Sequence, residues 1–386
     1  MSATAEPLRR LGKLAVRDFL ARYWQREAIC IRQAIDGFTS PISRDRLFEL
    51  ASNPEVESRL VSAFSGRWKM LHGPIVASAL PPLRRARWTL LVQGVDLYDA
   101  AVWALAARFR FLPAARFDDV MISYASHEGG VGPHVDQYDV FLLQAQGRRR
   151  WRIASKFDPQ HVSGAPLRLL ANFQHQREWV LEPGDVLYLP PGVAHEGVAL
   201  EAGITISIGF RLPVWQEIIE AWSERQSRLA PHSGRLVDRT HTPTAAPARL
   251  PANMVKDASR ELRRMRPSSI EVRRTLLEHL SEPKPVVHFT QRSLAAGPRR
   301  FASAARRRGV VLDLRTRMLY RGADIAINGE IQPQLPEAAQ RLLRTLANRQ
   351  HLPAAAIGSI GTRNAQALLA LLHDWYRFGW LHLAAK

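Results

Sequence analysis

The 386-residue chain has a single cysteine, Cys30. One thiol excludes an internal disulfide framework and a cysteine-based metal cluster. Within Ala28-Ile29-Cys30-Ile31 it reads as a small buried hydrophobe. No apolar run approaches the roughly 20 residues of a membrane span, and no signal pattern opens the sequence. The expectation is a soluble, cytoplasmic protein with no membrane partner. Acidic residues are also scarce, and unevenly so. Residues 1–211 carry 26 basic and 21 acidic side chains, net +5, whereas residues 212–386 carry 28 and 14, net +14. The second half contains Arg263-Arg264, Arg273-Arg274, Arg299-Arg300 and Arg306-Arg307-Arg308. Such a balance fits a polyanionic neighbour, ribosome or RNA, as well as it fits a solvated basic face. No aromatic interleaving accompanies the arginines to decide between the two.

Chemistry concentrates in residues 121–151 and 182–197. The first stretch holds Gly129-Gly130-Val131-Gly132-Pro133-His134-Val135-Asp136, a glycine-rich approach to His-x-Asp, followed by alternating apolar residues. On a strand, residues two apart project to one side, so His134 and Asp136 share a cavity. The second holds a turn at Glu182-Pro183-Gly184-Asp185, a short strand over 186–189, and the corner Pro190-Pro191-Gly192-Val193-Ala194-His195. His134, Asp136 and His195 make a two-histidine, one-carboxylate set. That set suits Fe(II) and leaves open positions for a chelating cosubstrate and dioxygen; zinc is the competing metal.

A cation favours iron. Gly147-Arg148-Arg149-Arg150-Trp151-Arg152-Ile153 reads as the returning strand of a hairpin, with Arg149, Trp151 and Ile153 on one face. An inward arginine needs a carboxylate, because an unpaired buried guanidinium is costly. Its planar fork matches the distal carboxylate of 2-oxoglutarate, whose other end chelates iron. Zinc catalysis would not need it.

The run FDDVMISYASHEGGVGPHVDQYDVFLLQAQGRRRWRI, with LEPGDVLYLPPGVAHEG after it, resembles the JmjC-type bacterial ribosomal oxygenases. The likeness extends to FLARYWQREAICIR, to PEVESRLV at 54–61 and to the C-terminal part. It implies a mainly β, double-stranded β-helix (cupin/JmjC barrel) with a helical middle region and a C-terminal winged-helix-like module. It further implies Fe(II), 2-oxoglutarate and dioxygen as cofactors, and hydroxylation of an arginine β-carbon in the large-subunit ribosomal protein L-sixteen. In that family the Ser123 position lies beside the oxoglutarate site, and the helical middle region forms a homodimer interface. One departure stands out: the resembling enzymes tend to carry asparagine where this chain has Thr205. Thr205 and Ser207 share parity and keep hydrogen-bonding groups near the cosubstrate. Asp119, on the parity of Met121 and Ser123, is the candidate for a substrate guanidinium, against an ordinary surface carboxylate. Tyr138 reads equally as a channel residue and a packing tyrosine. A JmjC oxygenase or demethylase acting on another protein would share every ligand, and a non-enzymatic ribosome- or RNA-binding cupin would rest on the basic half alone.

Along the chain, patterning predicts domains at 1–211 (catalytic), 212–300 (helical) and 301–386 (winged-helix-like). Helices are expected at 16–24, 44–52 with Ser43 as cap, 98–108, 215–229, 253–265, 269–280, 336–348 and 364–378. Strands are expected at 28–32, 88–95, 117–124, and at 310–314 paired with 318–320. Residues 230–253 read as a Pro/Thr-rich connector. His232, His241 and His288 lack partners at ligand spacing. The final helix bears mostly Ala and Leu, so the winged helix reads as structural or protein-binding rather than base-reading.

Overall fold

The computed structural model describes residues 6–64, 67–229, 250, 252–292 and 296–385. The connector expected over 230–253, with His232 and His241, lies almost wholly outside them. The chain divides into two compact units: Met1–Leu212, Lys284–Thr316 and Leu335–Lys386 form one, and Pro213–Pro283 with Arg317–Gln334 the other.

In the first unit, an eight-stranded antiparallel sheet runs in the order Ile29–Ile31, Val186–Leu189, Asp139–Gln146, Gly203–Phe210, Phe117–Ala125, Trp88–Val92, Ser58–Phe64, Arg67–His72. A four-stranded sheet orders Arg177–Leu181, Arg149–Ala154, Ala194–Ala199 and His134–Val135. The pleat sorts the large sheet's side chains between two environments. Phe141, Leu143, Ile204, Ile206, Ile208, Val120 and Ile122 pack outward with helical residues such as Phe19, Leu47 and Val102. Val140 and Leu142 instead point inward, where they meet Trp151, Ile153 and Leu181 of the small sheet. The inward positions left over on Phe117–Ala125 and Gly203–Phe210 are Met121 and the polar Ser123, Thr205 and Ser207, and they line a cavity between the sheets.

Local readings hold where local signals were strong. The helices at Arg44–Ser52 and Trp215–Leu229 have the expected bounds, and Ser43 accepts from Arg46 N. Two hairpins do not form. Asp139–Gln146 already has Val186–Leu189 on one edge and Gly203–Phe210 on the other, so Arg149–Ala154 crosses at Gly147 into the small sheet. Likewise Val310–Leu312 has its two edges filled by His351–Leu352 and Leu381–Leu383. Met318–Arg321 pairs with Asp324–Ile327 instead, a strand the patterning missed. A strand has two edges, and sequence does not say who arrives first.

The C-terminal part of the first unit contains helices Pro298–Arg308, Glu337–Arg349 and Thr362–Phe378 around that short sheet. Ala365, Leu368, Leu369, Leu372 and Trp375 are buried, so the last helix commits its apolar face to the core. The second unit contains Trp215–Leu229, Ala252–Arg264 and Ser269–Ser281, the last begun by a Ser268/Glu271 capping box. Asp324 of its three-stranded sheet takes bonds from Arg273 and Arg274.

Candidate metal centre

Strand register brings the histidines together. His134 stands opposite His195 in the small sheet, and their ring centroids lie 4.3 Å apart. The His134 strand is only two residues long, so Asp136 follows it rather than continuing it; its side chain nonetheless lines the same cavity. Asp136 Oδ2 is 4.0 Å from His134 Nε2 and 3.7 Å from His195 Nε2. Among the described residues, these three form the group of His, Cys, Asp and Glu side chains able to hold an ion, with all ligand atoms within 4.8 Å of one another.

Both rings are oriented by the backbone. His134 Nδ1 donates to Gly132 O at 2.9 Å and His195 Nδ1 to Val193 O at 3.0 Å, which turns each Nε2 lone pair inward. The Gly132 turn sits at φ 75°, and a Cβ there would lie 2.8 Å from Leu169, so this turn requires glycine. Gly197, facing Trp151, leaves a Cβ position only 2.7 Å from the indole. Burial, reinforced by His134, pushes the His195 imidazole down to about 4 despite Asp136. The ring is therefore neutral near pH 7, the form a metal requires.

On the same cavity wall, Arg149 is 5 % exposed, as the parity of its strand predicts. One terminal nitrogen donates to Ser123 Oγ at 3.2 Å and Thr205 Oγ1 at 2.9 Å, and Thr205 donates in turn to Gln144 Oε1 at 2.9 Å. Register explains the trio, because Thr205 faces Ser123 on one neighbouring strand and Gln144 on the other. Arg149 has no carboxylate partner among the described residues, and its buried Nε has no acceptor. Burial pushes the guanidinium down to about 10, which leaves it charged near neutral pH. A buried cation held by hydroxyls and an indole ring still lacks its anion.

Ser207 and Tyr138 also line the cavity. Burial, then Asp136, Asp119 and Asp118, raise the Tyr138 phenol far above its usual range, so it remains a neutral donor beside Asp136. Asp119 is not a surface carboxylate: it is 4 % exposed, accepts from Gln93 Nε2 at 2.6 Å, and pairs with Lys284 at 2.5 Å. It stands just beyond the lining residues Met121 and Ser123. Gln144 escaped the sequence reading, although its parity with Val140 and Leu142 marks it as inward. Lys284 gave no such signal, being 165 residues from Asp119.

The chain matches the JmjC domain over residues 104–218 and the ROXA-like winged helix over 264–382. It is 38 % identical over 275 residues to the ribosomal protein uL16 3-hydroxylase of Escherichia coli K12, covering 71 % of this chain and 69 % of that one. It superposes on the X-ray structure of E. coli ycfD with a TM-score of 0.86 and 31 % identity, over 97 % of this chain and 100 % of that one. For the E. coli ribosomal oxygenase YcfD in complex with cobalt and 2-oxoglutarate the TM-score is 0.84 at 32 % identity, over 97 % and 99 % of the two chains. Two β-sheets enclosing a His-Asp-His cavity, followed by a winged helix, place this chain in the JmjC ribosomal oxygenase family.

Proposed function

We propose that this protein is an Fe(II)- and 2-oxoglutarate-dependent oxygenase that hydroxylates an arginine side chain of uL16 at its β-carbon. The observation that carries this reading is Arg149, a buried cation without an anion in the same cavity as a His-Asp-His set. The E. coli relative is named for 3-hydroxylation of uL16, and the cobalt–oxoglutarate complex of YcfD belongs to the same fold.

His134, Asp136 and His195 would hold the metal. With 2-oxoglutarate and dioxygen bound, that centre supplies insertion of one oxygen atom into a C–H bond, the other going to succinate as carbon dioxide leaves. The protein's own groups position and exclude. Arg149 takes the distal carboxylate of the cosubstrate, pre-aimed by the Ser123 and Thr205 hydroxyls, and Ser207 adds a donor on the same strand face. Trp151, 5.3 Å from the guanidinium, and Leu142 keep water from that end. Tyr138 donates to Asp136 and closes the side nearest Asp119, where a substrate cation is received.

Two partner assignments accompany this reading. The helix Trp215–Leu229 leaves Trp215 80 % and Ile219 61 % exposed, which supports a homodimer through the helical region. Arg299, Arg300, Arg306 and Arg307 are exposed on Pro298–Arg308 and support contact with a ribosomal or RNA surface in the cytoplasm.

The test is mass spectrometry of large-subunit ribosomal proteins incubated with the protein, Fe(II), 2-oxoglutarate and oxygen. One added oxygen on a uL16 arginine, absent with Asp136→Ala, is expected. Succinate formed with another protein modified instead would transfer the substrate, and lost methyl groups would make the protein a demethylase.

A further inference from the structure

Asp119 lies at the end of the inward face that Met121 and Ser123 continue into the cavity. Its carboxylate is already occupied. Lys284 Nζ lies 2.5 Å from Asp119 Oδ2 and 3.3 Å from Asp118 Oδ1, so two carboxylates share one ammonium. Gln93 Nε2 and Lys284 Nζ both reach the same oxygen, Oδ2. A guanidinium uses two oxygens at once and therefore needs Oδ2. Gln93 is itself held by Arg59 at 3.4 Å, whereas Lys284 hangs on a flexible stem with 23 % of its side chain exposed. An ammonium is also the more strongly hydrated cation, so leaving for water suits it better than it suits a guanidinium.

We propose that Lys284 sets the threshold for substrate binding by this oxygenase, as a resident cation on the Asp118–Asp119 pair that an incoming substrate cation must displace. The consequence is a threshold for entry, which a weakly held cation does not pass. A substrate lysine exchanges one ammonium for another and gains nothing, whereas an arginine gains a fork of two bonds. Burial alone would lower the Lys284 pKa, but Asp119 and Asp118 more than reverse this, so the resident stays charged. The inference rests on the reading of the cavity as a site for a cationic protein side chain.

The experiment is calorimetric binding of synthetic uL16 peptides to the full chain loaded with Mn(II) and 2-oxoglutarate. Each peptide carries arginine, lysine or neutral citrulline at the target position. Wild type should bind the arginine peptide best and the citrulline peptide worst. In Lys284→Met the arginine and lysine peptides should each bind about tenfold tighter, because the cost of displacing the resident is removed from both, while Lys284→Arg, whose resident has its own fork, should bind the arginine peptide more weakly. Unchanged or weaker arginine binding in Lys284→Met would make Lys284 a structural pin and overturn the proposal; Lys284→Arg, which keeps the charge, tests it without depending on that variant's folding. Asp119→Asn separates the underlying reading. If this variant and wild type bind arginine and citrulline peptides alike, the carboxylate pair receives no cation and the substrate assignment fails, whatever Lys284 does.

Discussion

Two kinds of buried charge occur in this protein, and they differ in how completely they are paired. In the C-terminal region Asp313 accepts from Arg315 and from His382 at 2.8 Å, and Asp324 accepts from both Arg273 and Arg274. In the barrel, Arg149 is as deeply buried, yet two hydroxyls and the Trp151 ring answer it in place of a carboxylate. Pairing completed by arginines marks Asp313 and Asp324 as groups that belong to the fold. Incomplete pairing at equal burial marks a group that waits for a ligand, because no carboxylate among the described residues offsets the desolvation of Arg149. The net charge of the C-terminal half is higher, but its buried acids are saturated, whereas the nearly balanced barrel retains the unanswered cation.

The strongest test of this contrast removes the reaction altogether. Asp136→Ala should abolish iron retention and lower succinate formation at least about 1000-fold, while the fold survives, since the side chain is 23 % exposed. Metal analysis and circular dichroism together check it. Next, Arg149→Met should raise the KM for 2-oxoglutarate about 100-fold, near 2.7 kcal/mol. The same change should leave the ligand-free melting temperature unchanged or higher, because an unpaired buried charge is gone. A steep fall in melting temperature would place Arg149 with the structural charges and dissolve the comparison.

Asp324→Asn should behave in the opposite way, costing about 3 kcal/mol in denaturant unfolding with the oxoglutarate KM unchanged. Acid supplies a gentler version. Burial by itself would raise the Asp313 pKa, but hydrogen bonds from His382 and Arg315 outweigh it and hold the carboxyl far below its usual range. A depressed folded pKa contributes stability that is present above the unfolded value, about 4, and is lost as pH falls below it. Melting curves from pH 7 to pH 3 should therefore show an acid loss in wild type that Asp313→Asn flattens. Smallest of all, Thr205→Asn should change the oxoglutarate KM less than about threefold, since an amide can replace the hydroxyl between Arg149 and Gln144.

Much of the site was legible in the residues themselves. His134, Asp136, His195 and Arg149 followed from residue type, order and the alternation of strands, and the structure brings all four to one cavity. The inward parity of Arg149, Trp151 and Ile153 survived even though the hairpin predicted around them did not form. Parity is a property of one strand, whereas pairing is a competition among several. Asp119 illustrates the limit from the other side. Alternation put it on the face of Met121 and Ser123, but its burial and its partner were not legible, because Lys284 arrives from a segment beyond the reach of any local pattern.

By itself the sequence determined the His-Asp-His set, the inward arginine, the Ser43 cap, the apolar stripes of most helices, and the change from barrel to basic C-terminal region. All of these follow from interactions within a few residues, where alternation, capping and charge act directly. Tertiary structure alone decided which strand edges met, that His134 would face His195, that Thr205 would bridge Arg149 and Gln144, and that Lys284 would sit on Asp119. Those contacts join residues up to 165 positions apart, and they are selected by which surfaces are left uncovered once the two sheets close.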